Sequence, residues 1–169
     1  KSIIFISDGE MARKEFEKVA IEISKKRSDL KIFYRLRPDE FDIWKTLYSK
    51  EIQAVDNIFF LDSNEPSLHY YLKRCKYVVG INSTVLVEAM PLSNVIVHKK
   101  GWYIEMNQFI EDEFVLTSSN AEDILNIIQH DKLPKKMINK ENLFKDNPKK
   151  NIKDSISEIL KKDNLSNQS

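Results

Sequence analysis

Residues 77–98 read YVVGINSTVLVEAMPLSNVIVH and contain the pattern from which the fold class can be predicted. A short apolar run ends at Gly80, which is typical of a buried strand. A helical stretch at residues 83–90 follows, and a second apolar run covers residues 94–98. A strand, a helix and a second strand in this order predict a right-handed βαβ unit with parallel strands.

The same alternation of apolar runs and amphipathic stretches continues on both sides of this segment. The predicted strands lie at residues 3–6, 30–36, 57–61, 77–80, 94–98 and 114–116. The predicted helices lie at about residues 16–23, 40–49, 66–74, 83–90 and 120–128, with Pro66 in the first turn of the third. The sequence therefore predicts an α/β fold, a doubly wound, Rossmann-like parallel sheet covered by helices on both faces.

Composition limits the classes of function. The 27 basic and 26 acidic residues leave a net charge of +1, so the domain as a whole has no field with which to bind nucleic acid. The single cysteine, Cys75, fits a reducing cytoplasm. No apolar run approaches the roughly 20 residues that cross a bilayer. We therefore expect a cytoplasmic domain in which any affinity for anions comes from a local site.

The chain of 169 residues is long enough for one domain, which we predict at residues 1–162. Residues 130–162 form a basic extension with a last helix at about 152–160, and residues 163–169 form a polar tail that we expect to be disordered. The sequence starts at Lys1 and enters a strand almost at once. We expect it to be a piece of a longer protein.

The first candidate site is the segment 80–84, GINST, because ligands of open parallel sheets bind beyond the carboxyl ends of the strands. Ser83 and Thr84 open a helix, whose free N–H groups suit a phosphate. Glu88 lies one turn further along and could accept hydrogen bonds from ribose hydroxyls. The alternative is that Ser83 only caps its helix and that Glu88 is solvated.

The second candidate site is Arg37-Pro38-Asp39-Glu40, which follows the second predicted strand. Pro38 keeps Arg37 out of the helical region, so the guanidinium could project into a cleft and neutralise a phosphate. The alternative is a surface arginine beside a helix start, where Asp39 and Glu40 complement the helix dipole.

Other chemistries find no support in the sequence. The basic segment from His98 to Gly101 could contact a phosphate or sugar at the edge of the cleft, but the favoured interpretation is a charged, solvated loop. There is no G-x-G-x-x-G, P-loop, G-x-S-x-G, paired-cysteine or H-E-x-x-H motif, and no Asp-x-Asp signature. We predict neither a metal ion nor a cofactor.

Residues 37–97 resemble the C-terminal half of glycosyltransferases with the two-Rossmann-domain (GT-B) architecture. The resemblance is to the bacterial capsular-polysaccharide, sialyltransferase-like and teichoic-acid polymerase-like group, whose members carry a His-Pro-x-Glu-like motif after the second strand. Residues 37–40 match that motif, and residues 80–84 with Glu88-Ala89 match its strand, hydroxyl pair and Glu-Ala segment. Residues 3–9 are similar to the strand and loop that open this domain, and the resemblance covers roughly residues 1–130.

The resemblance implies a donor site with Gly9, Glu40, Ser83, Thr84 and Glu88. Arg37 would take the place of the motif's histidine and act as the catalytic residue, also contacting the donor. An arginine does not titrate near neutral pH, so an acid role does not carry over. Its charge can still stabilise a departing phosphate.

The implied function is metal-independent transfer from a nucleotide-activated sugar to a bacterial capsular or other surface polysaccharide. The partners would be the nucleotide-sugar donor, with a slight preference for cytidine, the polysaccharide acceptor and an N-terminal domain that holds the catalytic base. A nucleotide-sugar 2-epimerase and a non-catalytic Rossmann-like scaffold remain as alternatives. The lysines after residue 131 leave peripheral contact with the inner membrane face open, but acidic residues interrupt them, which favours solvated faces.

Overall fold

The computed structural model describes residues 1–100 and 104–138. Residues Lys1–Met137 form one compact unit. The predicted helix at 152–160, the tail at 163–169 and most of the basic extension lie outside the described residues, and the domain limit at residue 162 stays a prediction.

The described residues form one six-stranded sheet with the strand order β3-β2-β1-β4-β5-β6, and every pairing is parallel. The strands are β1 (Ser2–Ile6), β2 (Lys31–Arg35), β3 (Ile58–Leu61), β4 (Tyr77–Gly80), β5 (Asn94–His98) and β6 (Leu116–Ser118). The chain runs outward from β1 to β3 and then returns to add β4 on the other side of β1. This order confirms the predicted doubly wound sheet.

Helices connect the strands. They are α1 (Glu10–Lys26), α2 (Trp44–Leu47), α3 (Lys50–Gln53), α4 (Leu68–Leu72), α5 (Thr84–Ala89), α6 (Asn107–Glu111) and α7 (Ala121–Gln129). Short 3₁₀ turns cover Pro38–Glu40 and Ile104–Met106.

The core lies on both sides of β1. Ile3 and Phe5 belong to one cluster with Phe16 of α1 and Ile124 of α7, and the rings of Phe5 and Phe16 meet edge to face at 5.5 Å. Ile4 points to the opposite face because side chains alternate along a strand, and it is also fully buried. Both faces of the sheet are therefore covered, as expected of a parallel sheet.

The prediction of a single helix at residues 40–49 is wrong. The structure has a 3₁₀ turn at Pro38–Glu40, then α2, and then a separate α3. The break falls at Tyr48 and Ser49, whose backbones are extended. Ser49 caps α3 through its side chain, and its own N–H donates to the carboxylate of Glu17 on α1 at 2.9 Å. A partner that is distant in the sequence thus ends the helix.

Two further element boundaries also differ. Pro66 lies outside α4, which starts after Ser67. The last strand is β6 at Leu116–Ser118 instead of 114–116, because the chain still turns at Glu113, whose φ is +62°, and the Phe114 N–H donates to the Phe109 carbonyl.

Candidate functional site

The candidate site lies where the strand order reverses, between β1 and β4. The loop after β1 leads into α1, and the loop after β4 leads into α5. In open α/β sheets, the crevice beyond the carboxyl ends of such a strand pair is the usual place for a ligand. The loop after β2 borders it, because β2 is the other neighbour of β1.

Asp8 joins the loops after β1 and β4. One carboxylate oxygen, Oδ2, accepts hydrogen bonds from the N–H groups of Ile81 at 2.7 Å and Asn82 at 3.3 Å. Burial raises the pKa of Asp8, while these hydrogen bonds and the nearby charge of Arg37 act in the opposite direction. Asp8 was not among the predicted donor-site residues, although its position in the loop that follows the first predicted strand was an available signal.

Gly9 and Arg37, two of the predicted donor-site residues, lie side by side. Gly9 precedes α1 with φ of +76°, a conformation that residues with a side chain rarely adopt. A Cβ atom on Gly9 would lie 3.0 Å from Nη1 of Arg37. The guanidinium therefore occupies the space that the missing side chain leaves.

Arg37 is available to a ligand. Its backbone is extended, as expected of a residue before proline, and its side chain is 52% exposed. Nε donates to Oδ1 of Asp39 at 3.2 Å. An exposed ion pair of this kind is weak, so a phosphate could replace Asp39 as the partner of the guanidinium.

Glu40 is oriented away from solvent. It is 3% exposed, and its Oε2 accepts from the backbone N–H of Arg37 at 3.0 Å. Its Oε1 accepts from Nη2 of Arg13 and from the hydroxyl of Tyr48, both at 3.3 Å. Glu40 thus holds the loop that carries Arg37. Its direct contact with a donor stays a prediction.

Ser83, Thr84 and Glu88 lie on the other side of the crevice. Ser83 caps α5, and its Oγ accepts from the N–H of Val85 at 3.3 Å, which leaves its own hydroxyl hydrogen free to donate. Thr84 is exposed and Glu88 is half-buried one turn later. Helix α5 has only 6 residues, so its hydroxyl groups matter more than its dipole.

His98 is fully buried, which corrects the prediction of a solvated loop at this position. Its Nδ1 lies 3.1 Å from Oγ of Ser118, and its Nε2 lies 3.3 Å from Oε1 of Glu15. Burial lowers the pKa of His98, and the carboxylate of Glu15 opposes that shift. His98 therefore serves the packing between β5, β6 and α1, whereas Lys99 and Lys100 are exposed.

The two larger grooves described on the surface lie elsewhere. One of about 660 Å³ runs between α1 and the α2–α3 segment, and one of about 650 Å³ lies at the amino ends of the strands, beside Lys1, Tyr77 and Asp131. Neither groove lies at the carboxyl ends of β1 and β4, where the strand order and the chemistry of the loops indicate the candidate site.

Among residues 1–100 and 104–138, no helix combines the length and apolar character needed to cross a membrane. Within those ranges, no three His, Cys, Asp or Glu side chains gather as metal ligands would. Metal independence itself stays a prediction.

No family model and no curated protein matches the sequence. Solved structures do match. The C-terminal CMP-Kdo binding domain of WaaA from Acinetobacter baumannii has a TM-score of 0.57 at 15% identity, over 77% of this chain and 79% of that one. The C-terminal domain of the group 1 glycosyl transferase LpcC from Francisella tularensis has a TM-score of 0.52 at 24% identity, over 76% and 73%.

An epimerase shares the same fold. UDP-GlcNAc 2-epimerase from Neisseria meningitidis, bound to UDP-GlcNAc, has a TM-score of 0.58 at 16% identity. The match covers 77% of this chain but only 35% of the epimerase. At such identities the likeness shows the fold alone. The chain has the fold of the C-terminal domain of GT-B glycosyltransferases, as the sequence predicted.

Proposed function

We propose that this chain is the nucleotide-donor-binding domain of a glycosyltransferase that builds a bacterial surface polysaccharide without a metal ion. One observation carries the proposal. Asp8, in the loop after β1, accepts hydrogen bonds from the backbone of the loop after β4, and the guanidinium of Arg37 lies next to Gly9 in the same region. The positive side chain of Arg37 and the hydroxyl groups of Ser83 and Thr84 follow β2 and β4, on either side of β1, and we propose that they face one ligand there. This chemistry suits a nucleotide phosphate.

Four of the predicted residues contact the donor in this proposal. The planar guanidinium of Arg37 forms paired hydrogen bonds with the donor phosphate and stabilises the negative charge that develops as the nucleotide leaves. The hydroxyls of Ser83 and Thr84 donate to the same phosphate, and Glu88 accepts from ribose hydroxyls. The polysaccharide acceptor and the catalytic base belong to an N-terminal domain of the same protein.

The fold relatives support the choice of ligand class. One is described as a CMP-Kdo binding domain and another is bound to UDP-GlcNAc, so both handle a nucleotide-activated sugar. The likeness to the epimerase also supports a second candidate function, that of a nucleotide-sugar 2-epimerase. An assay of the whole protein without acceptor separates the two, because only an epimerase converts the sugar of the free donor.

Calorimetric titration of this chain with CMP, CDP, UDP and GDP tests the proposal. We expect one nucleotide to bind preferentially and the double variant Ser83→Ala/Thr84→Ala to bind it about tenfold or more weakly, since hydrogen bonds to a charged group contribute about 1.5–3 kcal/mol each.

The matched control is Thr117→Ala/Ser119→Ala, which removes two exposed hydroxyls near the end of β6, before α7. This pair lies at the carboxyl end of β6, at the same edge of the sheet but away from β1 and β4, so we expect unchanged affinity. If none of the four nucleotides binds, the donor-domain proposal fails and the scaffold alternative is favoured.

A further inference from the structure

A chain of hydrogen bonds beneath the candidate site links the backbones of Gly9 and Arg37. The N–H of Gly9 donates to Oγ of Ser7 at 3.3 Å, and that Oγ lies 3.3 Å from the hydroxyl of Tyr48. The Tyr48 hydroxyl contacts Oε1 of Glu40 at 3.3 Å, and Oε2 of Glu40 accepts from the N–H of Arg37 at 3.0 Å. We call Ser7, Tyr48 and Glu40 the Tyr48 relay.

The chemistry of the groups fixes the direction of each bond. An ionised Glu40 can only accept, so Tyr48 donates to it. The hydroxyl of Tyr48 has a single hydrogen, which it donates to Glu40. Ser7 is therefore the donor in the hydrogen bond between Ser7 and Tyr48. Burial raises the pKa of Tyr48 to about 12, so its hydroxyl keeps its hydrogen at neutral pH. Every donor in the relay therefore has an acceptor, and both ends are backbone N–H groups of the site.

The relay is almost fully enclosed by protein. Ser7, Tyr48 and Glu40 are 4%, 3% and 3% exposed. The ring of Tyr48 packs against Tyr34 and Phe60 at 5.3 and 5.2 Å between centroids, which fixes the direction of its hydroxyl. The charge of Glu40 is balanced by Arg13, whose Nη2 lies 3.3 Å from Oε1.

The position of the Arg37 guanidinium depends on both ends of the relay. Nη1 lies against the space above Gly9, so a shift of either backbone changes the distance between the two groups. Within the described residues, the side chain of Arg37 donates a hydrogen bond to the exposed Asp39, and the carboxylate of Asp8 is near enough to interact with its charge. The orientation of its charge is thus set mainly by the backbone to which it is attached.

We propose that Tyr48 is a positioning residue of the donor site, because its hydroxyl holds the loop of Gly9 and the loop of Arg37 in the arrangement that receives the phosphate. This inference rests on the proposed function, since it assigns the way in which that site is kept in order.

The test compares Tyr48→Phe with Tyr77→Phe. Both tyrosines are buried and both hydroxyls are hydrogen-bonded, but Tyr77 donates to the carbonyl of Lys132 at the amino ends of the strands. We expect both variants to lower the melting temperature to a similar extent. In titrations with CMP, CDP, UDP and GDP, we expect Tyr48→Phe to lower the affinity for the preferred nucleotide about tenfold. We expect Tyr77→Phe to leave that affinity unchanged.

Amide NMR spectra add a readout that needs no ligand. We expect the amide resonances of Gly9 and Arg37 to shift in Tyr48→Phe and in Ser7→Ala, which interrupts the relay from its other end, and to stay in place in Tyr77→Phe. Wild-type affinity in Tyr48→Phe, or an equal loss in both tyrosine variants, overturns the inference while the proposed function stands.

A wild-type chain that binds none of the four nucleotides overturns the proposed function. Tyr48 then has no donor site to position, and the inference falls with it, whatever the amide resonances show of the relay itself.

Discussion

Asp8 places a carboxylate beside the crevice that we propose for a phosphate, so its charge state matters at the scale of the residue. Its Oδ2 accepts from two backbone N–H groups, yet burial raises its pKa above the ordinary value of 3.8. The folded state therefore binds the Asp8 proton more tightly than the unfolded state does. The stability linked to this proton is fully present below pH 3.8 and is lost as the pH rises through the folded-state pKa.

Asp8→Asn should remove this pH dependence. The amide oxygen of asparagine can still accept from Ile81 and Asn82, but it carries no charge to desolvate. We expect the difference in free energy of unfolding, variant minus wild type, to become more positive as the pH rises from below 3.8 to neutrality. Urea unfolding at a series of pH values measures it.

Asp8→Ala serves as the control because it removes the acceptor together with the charge. We expect this variant to be less stable than Asp8→Asn at every pH, by about 1–3 kcal/mol for the two unpaired N–H groups. A difference between Asp8→Asn and wild type that stays flat with pH would show that burial of Asp8 carries no such penalty.

Residues at strand ends could be predicted from the sequence, whereas residues beneath them could not. Arg37 and Gly9 lie in segments that follow apolar runs, so both were expected at one edge of a parallel sheet, and a Cβ atom on Gly9 would lie 3.0 Å from Nη1 of Arg37. Tyr48 lies in the segment 40–49, which was predicted as a single helix. Its hydroxyl contacts Ser7, 41 positions away, and no local pattern reveals a partner at that distance.

At the scale of the element, Gly80 sets how closely α5 approaches β4. A Cβ atom on Gly80 would lie 2.6 Å from Cδ2 and 3.0 Å from Cδ1 of Leu86. Leu86 is fully buried, so its side chain has little room to move aside. The absence of a side chain at Gly80 thus brings the loop of residues 81–83 close to the sheet, where Asp8 reaches it.

Gly80→Ala should therefore destabilise the fold by about 1–3 kcal/mol, the usual cost of overpacking a core. Denaturant unfolding measures the change. In a Leu86→Ala background, the same substitution should be neutral or stabilising, because the added methyl group fills part of the space that leucine leaves. An equal free energy of unfolding for Gly80→Ala and the wild type would mean that α5 can move away from β4 without loss of stability.

The elements themselves were predictable where apolar periodicity was strong. All six strands were anticipated, and only the last was displaced along the chain. The prediction for residues 40–49 failed because their conformation depends on Glu17 of α1. The carboxylate of Glu17 accepts a hydrogen bond from the backbone N–H of Ser49. Sequence periodicity reports which face of a helix is apolar but not where a distant side chain interrupts it.

At the scale of the whole molecule, the alternation of strands and helices predicted the class of fold but did not by itself determine the strand order. The observed order puts β4 beside β1, and this adjacency creates the crevice between their loops. Residues 8 and 81 are thereby joined by a hydrogen bond across 73 positions of the chain. The candidate site is a product of topology, which explains why its parts are scattered in the sequence.

The central claim is that a nucleotide binds at the carboxyl ends of β1, β2 and β4. Titration of the ¹⁵N-labelled chain with the nucleotide that binds most tightly, followed by amide NMR, tests it most directly. The account predicts that the largest shifts occur at Gly9, Arg37 and Ser83. Shifts confined to the opposite groove, beside Lys1, Tyr77 and Asp131, would contradict it.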